Sequence, residues 1–364
     1  VGTLPELRES EFAGGTAGRA VRPPVLLNGQ ILPGEADRIS IRAAAGERLV
    51  VRLHARRLIP YMADAVPGWF QAVLTLRDPQ GKEVAWSDDY RFDPDPLLFY
   101  ETPADGTYEL EIRDAIYRGR EDFVYRIAVG EFAFATAMFP LGARVGSDVR
   151  AELSGWNLPT RDVPLDTTAV GNGIRRIHTD WRGGLPCELT YVVDDLTDVL
   201  EEEPNDSPQR APEVPLPAAV NGRIQSPGDV DFFRLQGRSG QRILVTIMAR
   251  RVGSPLDSVV RLLDAEGAQL AMNDDWKDRE MGLITHHADS QLTCERPQDG
   301  TYVVAVSDAV TDGSPAHAYR LQIRPVRPDF AVRVTPSAID LSRHAPSPIK
   351  LHLLRKEGLS GEVE

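Results

Sequence analysis

Apolar and polar residues alternate with a period of two over a series of short stretches. They are 47–53 (Glu-Arg-Leu-Val-Val-Arg-Leu), 73–77, 107–113, 241–247, 259–263 and 301–307, all rich in Val, Leu, Ile, Thr and Tyr. Period two is the spacing of a half-buried strand, because successive side chains leave opposite faces of the pleat. Turn sequences punctuate these stretches: Asp78-Pro-Gln-Gly81, Ala104-Asp-Gly106, Ala265-Glu-Gly267 and Gln298-Asp-Gly300. Their glycines supply positive φ and their aspartates cap nearby amides. Many short strands with regularly spaced turns predict an all-β chain of tandem β-sandwiches, each sheet giving one inward face to a core.

The pattern is written twice. Pro-Ala-Asp-Gly-Thr-Tyr from Pro103 returns as Pro-Gln-Asp-Gly-Thr-Tyr from Pro297, Asp114-Ala115 as Asp308-Ala309, Ala55-Arg56-Arg57 as Ala249-Arg250-Arg251, and Tyr125-Arg126 as Tyr319-Arg320. One offset, 194, relates them all (Pro103 to Pro297). A constant offset over separated points is the mark of a duplicated domain.

The repeat and the prolines divide the chain into an arm or linker (1–22), a first module (23–131), a small immunoglobulin-like β domain (132–198), a second module (199–327) and the start of another immunoglobulin-like unit (328–364). The last looks truncated, since so short a piece cannot close a sandwich by itself. The expected architecture is therefore jelly-roll-like modules alternating with immunoglobulin-like sandwiches.

Composition narrows the function classes. With 42% hydrophobic and 26% charged residues, 364 residues can bury several cores. A net charge of −13 and the lack of a long basic strip argue against a nucleic-acid partner. The acidity suits solubility and cation binding. No apolar run is long enough to cross a bilayer. No signal peptide is present, and Val1 is an unusual natural start, so the chain reads as a piece of a longer precursor. Cys187 and Cys294 lie in different predicted domains without metal-type spacing, and read as two buried, reduced thiols.

The second module carries a resemblance. In order it contains Glu203-Pro-Asn-Asp-Ser207, Gly228-Asp-Val-Asp-Phe-Phe233, Gly253-Ser-Pro-Leu-Asp257, Asn273-Asp-Asp275, Asp289-Ser-Gln-Leu292, Pro297-Gln-Asp-Gly-Thr-Tyr302 and Tyr319-Arg-Leu321. This series resembles the bacterial pre-peptidase C-terminal domain, a jelly-roll-like sandwich appended to secreted proteases, and is similar to the collagen-binding domains of clostridial collagenases. The first module matches less well. The alternation of modules with immunoglobulin-like segments also resembles the layout of large secreted or surface proteins of planctomycete-type bacteria. These resemblances imply an extracytoplasmic, non-catalytic binding or scaffold region.

The collagen-binding relatives also imply calcium. Carried over by position, Glu201, Glu203, Asn205 and Asp206 are linker ligands, and Asp229 and Asp231 are ligands from the turn after the first strand. The residue types agree, because a hard cation wants six to eight oxygens converging from several chain segments. The plainer alternative is an Asx turn at Asn205-Asp206-Ser207, a turn aspartate at 229 and a solvated acidic linker. A second acidic set, Asp257, Asp274, Asp275 and Asp289, offers a further cation site, or else a group of loop caps and strand-end turns. In the first module Glu35 and Asp37 stand where Asp229 and Asp231 stand, but the upstream linker lacks the Asn-Asp pair and carries Arg8. Firm calcium binding is therefore expected in the second module alone.

Loops at the ends of a rigid sandwich are where binding diverges, and the copies differ there. The 59–69 segment is longer in the first module and the 278–287 segment in the second. Tyr61, Trp69, Trp86 and Tyr90 are candidate aromatic anchors for a partner, or simply packing residues. Catalytic signatures such as GxSxG, HExxH and the Walker loop are absent from the sequence. His286-His287 is a poor metal pair, since neighbours on a strand face opposite ways. Two function classes remain. One is a calcium-stabilised binding or positioning module whose protein or polysaccharide ligand is unidentified. The other is the accessory region of a secreted peptidase or other hydrolase whose covalently linked catalytic domain lies outside this chain.

Overall fold

The computed structural model describes residues 4–12, 20–59, 68–168, 172–179, 181, 185–277, 286–295, 298–336, 338–339, 341, 343 and 345–363. The chain packs into two compact units: Val1–Thr136 with Ser154–Arg161 and His178–Glu188, and Ala137–Leu153 with Asp162–Ile177 and Leu189–Glu364. Residues 132–198 are thus divided between the two.

The first unit holds a sandwich of two sheets. A five-stranded sheet has the order Glu6–Arg8, Val25–Gln30, Val124–Gly130, Arg48–His54, Leu97–Glu101, and a four-stranded sheet the order Ala36–Ala43, Gly106–Asp114, Ala72–Arg77, Glu83–Ser87. Their inward side chains, among them Leu27, Ile39, Leu49, Leu74, Leu110 and Ile127, form one fully buried core. Alternation is clear in Ala36–Ala43, a strand outside the stretches read from the sequence, whose odd-numbered members Asp37, Ile39, Ile41 and Ala43 are buried. Part of the N-terminal stretch read as an arm belongs to this body. Glu6–Arg8 runs parallel to Val25–Gln30 as an edge strand, and Phe12 joins the core.

The second unit contains a sandwich with the same plan. Its five-stranded sheet has the order Thr197–Leu200, Ala218–Arg223, Ala318–Pro325, Arg242–Met248, Gln291–Glu295, and its four-stranded sheet the order Val230–Gly237, Gly300–Asp308, Ser258–Leu263, Gln269–Asn273. Its core includes Val220, Phe233, Val245, Val260, Val304 and Leu321. The offset is 194 from Arg48 to Arg242, falls to 186 from Ala72 to Ser258, and returns to 194 from Leu97 to Gln291. The longer 59–69 loop is thus offset by the longer 278–287 loop; 60–67 and 278–285, with Tyr61, lie outside the described residues. A β-bulge recurs at Leu76/Arg77 and Leu262/Leu263, and a left-handed residue at Tyr117 (φ 58°) and Thr311 (φ 60°).

The repeated sequence motifs are explained by loop capping. Asp95 accepts the amides of Ala55, Arg56 and Arg57, and Asp289 accepts those of Ala249, Arg250 and Arg251. Asp105 and Asp299 accept the amides of Ala45 and Ser239, tying together turns 60 residues apart in the chain. Each motif fixes a loop end whose amides would otherwise lack partners.

Among the described residues four smaller sheets remain, one of them the short antiparallel pair Trp276–Lys277 with His286–His287. Phe134–Phe139, Arg150–Trp156 and Asp162–Pro164 form a second, Gly142–Arg144, Cys187–Asp194 and Gly173–Thr179 a third, and the antiparallel pair Asp329–Thr335 with Lys350–Lys356 a fourth. Cys187 is buried and Cys294 only half-buried; both are free thiols.

Candidate metal centre

The acidic linker is brought to the turn aspartates by a parallel edge strand. Thr197–Leu200 pairs with Ala218–Arg223, which places Leu200 beside Asn221 and delivers Glu201 to the edge of the sheet. There a Glu201 carboxylate oxygen accepts the Arg223 amide at 2.8 Å. The Val230–Gly237 strand, entered through Gly228 at φ 85°, supplies Asp229 just before it and fully buried Asp231 within it. The linker is tied down in turn, since the Asn205 carbonyl accepts the Phe232 amide at 3.1 Å.

Two overlapping groups of oxygens result. One oxygen from each of Glu201, Glu203 and Asp231 lies within 4.8 Å of the other two, and the same holds for Glu203, Asp206 and Asp229. Glu203 is common to both groups. Asn205 is fully buried and donates its Nδ2 to Glu201 at 3.1 Å, while its own amide donates to Glu203 at 3.0 Å. The Tyr319 hydroxyl donates toward Asp231 at 2.6 Å and Glu201 at 3.0 Å. Among the described residues, none of these five carboxylates forms an ion pair with Arg, Lys or His. Two buried oxygens of the group, Asn205 Oδ1 and Asp231 Oδ1, have no hydrogen-bond partner.

Such crowding shows in the protonation equilibria. Burial, then the neighbouring Glu201, drives the Asp231 carboxyl far above the ordinary range. Burial also raises Glu203, with repulsion from Glu201, Asp229 and Asp206 adding to it. Asp229 rises for the same first reason, with Asp206 contributing. Burial before all else, then Asp231 and Glu201, holds the Tyr319 phenol neutral. Buried acids without a cation keep protons, and a divalent ion would replace them. Five carboxylates and an amide oxygen, with orphaned acceptors and no thiol or imidazole, fit a hard cation of the calcium type.

The first sandwich preserves half of this arrangement. Glu9 takes the place of Glu201 and accepts the Gln30 amide, Glu35 takes that of Asp229 and accepts the Leu32 amide, and Tyr125 donates to Asp37 at 2.6 Å as Tyr319 does to Asp231. Glu9, Glu35 and Asp37 also bring oxygens within 4.8 Å of one another. Burial raises Asp37 to about 6, against the Tyr125 bond that lowers it. Glu11, in the register of Glu203, instead accepts the Arg8 amide. The sequence that follows, Phe12-Ala13-Gly14, holds no Asn-Asp pair. Reading the sequence paired Glu35 and Asp37 with their counterparts but missed Glu9 and both tyrosines. The shared Tyr-Arg motif carried the signal.

The second acidic set does not converge. Asp289 is spent on the three loop amides and on Arg251 at 2.6 Å, Asp257 pairs with Arg250 at 3.3 Å, and Asp275 with Lys277 at 3.4 Å. Burial raises Asp257, countered by Arg250 and assisted by Asp275, Asp308 and Asp274. These four act as caps and surface ion pairs. Of the aromatic candidates, Trp86 is exposed, Trp69 lies under the Arg56 guanidinium, and Tyr90 packs against Phe99 and Phe134. His287 stacks on Trp276.

Ser314, His317 and Asp312 share one turn, but their order suits capping. Ser314 Oγ meets His317 Nδ1 at 2.8 Å and already accepts the Ala316 amide, while Asp312 stands 3.7 Å from Nε2, beyond reach for orienting the ring.

No protein-family model matches the chain. Over 119 residues it is 37% identical to a "probable subtilase-type serine protease" of Deinococcus radiodurans, covering 31% of this chain and 15% of that protein. Among solved structures it is similar to the pre-peptidase C-terminal domain of collagenase from Bacillus anthracis, with 14% identity, TM-score 0.25, and 33% of this chain and 100% of that one covered. It is also similar to PliG of Aeromonas hydrophila, a periplasmic inhibitor of g-type lysozyme, with 14% identity, TM-score 0.23, and 35% and 96% covered. The chain thus spans about one-seventh of the curated relative it matches.

Proposed function

We propose that this chain is a non-catalytic, extracytoplasmic β-sandwich region, stabilised by calcium at the Glu201–Asp231 centre, that binds or positions a neighbouring domain. One observation carries the reading: five carboxylates converge, without a cationic partner among the described residues, around the buried and unsatisfied Asn205 Oδ1 and Asp231 Oδ1. Leaving such groups unpaired costs roughly 1–3 kcal/mol each, which a bound ion offsets. The candidate ligands are Glu201, Glu203, Asn205, Asp206, Asp229 and Asp231, and the ion would supply only charge and geometry.

A second reading concerns context. The 119-residue likeness to a subtilase-type protease favours an accessory role beside a peptidase domain in a longer polypeptide. In both readings the neighbour does the chemistry. Calcium titration of the whole chain, followed by thermal melting, tests the proposal. A concentration-dependent rise in Tm that Asp231→Ala removes supports it, whereas an unchanged Tm at millimolar calcium in the parent chain refutes it.

A further inference from the structure

Two consecutive residues of the strand Ala318–Pro325 serve two different places, because neighbours on a strand leave opposite faces. Tyr319 turns into the core of the second sandwich and donates to Asp231 at 2.6 Å and Glu201 at 3.0 Å, within the acidic centre. Arg320 turns the other way, fully buried, and lies 2.8 Å from both Asp194 and Asp198. The edge strand Thr197–Leu200 makes the same division. Asp198 belongs to the arginine, and Glu201, just past the strand, to the tyrosine.

The arginine joins a small sheet to the large one. Asp194 ends the strand Cys187–Asp194 and accepts Arg320 Nε and Nη2 at 2.9 and 2.8 Å. Asp198 also accepts the amide of Arg144, on the neighbouring strand Gly142–Arg144, at 2.7 Å. Gly142 leaves room for the guanidinium stem, since an added Cβ would stand 2.6 Å from Arg320 Cδ. Beside these charges Leu141, Val192, Met248, Val252 and Ala318 close an apolar seam. A buried pair of this kind opens only at high cost, because each partner left behind is an uncompensated charge. The first sandwich repeats the division: Tyr125 serves Asp37, and Arg126 pairs with Glu6, which holds the place of Asp198 as Glu9 holds that of Glu201.

We propose that Asp198 and Arg320 position the ion centre, and that filling the centre in turn locks the small sheet, through residues 142–145 and 192–198, onto the second large sandwich. The proposal deepens the calcium reading, on which it rests, by adding residues outside the ligand set. Glu201 stands beside Asp231 while its strand lies along Ala218–Arg223, and Asp198 pins that strand just upstream. Two sites that bias one strand are coupled, and the coupling acts equally in both directions.

Titration calorimetry of the whole chain with calcium tests the coupling. Asp198→Asn, which removes a charge from the clamp and none from the ligand set, should weaken calcium binding at least about fivefold. Arg320→Met should weaken it as well, whereas loss of a positive charge by itself would tighten it. Asp289→Ala, which uncaps the 249–251 loop of the same unit, should leave the affinity unchanged. In the parent chain calcium should slow exchange of the Arg144 amide, the one that Asp198 holds, by a similar factor. An unchanged affinity in Asp198→Asn, a tighter one in Arg320→Met, or an Arg144 amide indifferent to calcium would overturn the proposal and leave the ion site standing. An equal loss in Asp289→Ala would overturn it too, since general destabilisation would then explain every variant. A parent chain that binds no calcium refutes both the coupling and the calcium reading.

Discussion

Asp231 and Asp37 occupy the same strand position in the two sandwiches, each buried and each holding a tyrosine hydroxyl at 2.6 Å. Their protons carry a stability signature. Asp37 has its folded-state value raised to about 6, from 3.8, so its contribution is fully present below pH 4 and is lost as pH rises through 6. The swing is up to about 3 kcal/mol. Asp37→Asn should flatten the Tm profile of the first sandwich between pH 4 and 7, and a variant as pH-sensitive as the parent would show that another group is responsible. Asp231 has the same sign with a larger rise. Asp231→Asn should stabilise the calcium-free chain at pH 7 while weakening its calcium response, as read by melting with and without chelator. At this scale the sequence showed the carboxylates but not their partners. The carboxylates were named by carrying a family resemblance over by position, whereas Tyr319 lies 88 residues from Asp231 and becomes its neighbour only through strand pairing.

Strand Ala218–Arg223 shows what an element must give up to build such a site. Gly222 has no side chain because the Tyr319 ring crosses it, and an added Cβ would come 2.4 Å from the phenol oxygen; Gly29 and Tyr125 repeat the arrangement at 2.3 Å. Gly222→Ala should cost about 1–3 kcal/mol in chemical denaturation and loosen calcium binding as Tyr319 is displaced. An effect on stability without one on calcium would mean that the tyrosine does not organise the site. The Asp289 cap makes a parallel case. Asp289→Ala leaves three loop amides without their acceptor, an expected loss of about 2 kcal/mol or more, against little change for the exposed Glu266→Ala. Strands and turns were legible because alternation and Asp-Gly signals are local. The parallel edge strands Glu6–Arg8 and Thr197–Leu200 were not, because three or four residues carry too little period to be read.

For the molecule as a whole, two compact units imply separable melting. Scanning calorimetry in chelator should resolve two transitions, and calcium should raise one of them, by about 2.7 kcal/mol at a concentration a hundredfold above Kd. A rise in both would assign an ion to the first sandwich as well. In the second unit a fully buried guanidinium is also at stake. Arg320 lies 2.8 Å from Asp194 and 2.8 Å from Asp198, with Gln322 donating to Asp194 at 2.7 Å. Removing one side of a buried pair costs roughly 3–5 kcal/mol, so Arg320→Ala should lower that transition alone. The shared plan of the two sandwiches was visible in the sequence because several of the recurring motifs cap loops. The equivalent of Arg320, Arg126, is instead shared between Glu6 and Asn28, a divergence that an aligned Tyr-Arg motif conceals.

The partial acidic cluster of the first sandwich has a practical consequence. Glu9, Glu35, Asp37 and Tyr125 hold the places of Glu201, Asp229, Asp231 and Tyr319, but Glu11 is drawn to the Arg8 amide, so three carboxylates stand where the second sandwich gathers five. With fewer anionic oxygens to offer, this cluster should remain unfilled at ion concentrations that saturate the other centre, so equilibrium dialysis of Asp231→Ala should show no tightly held ion.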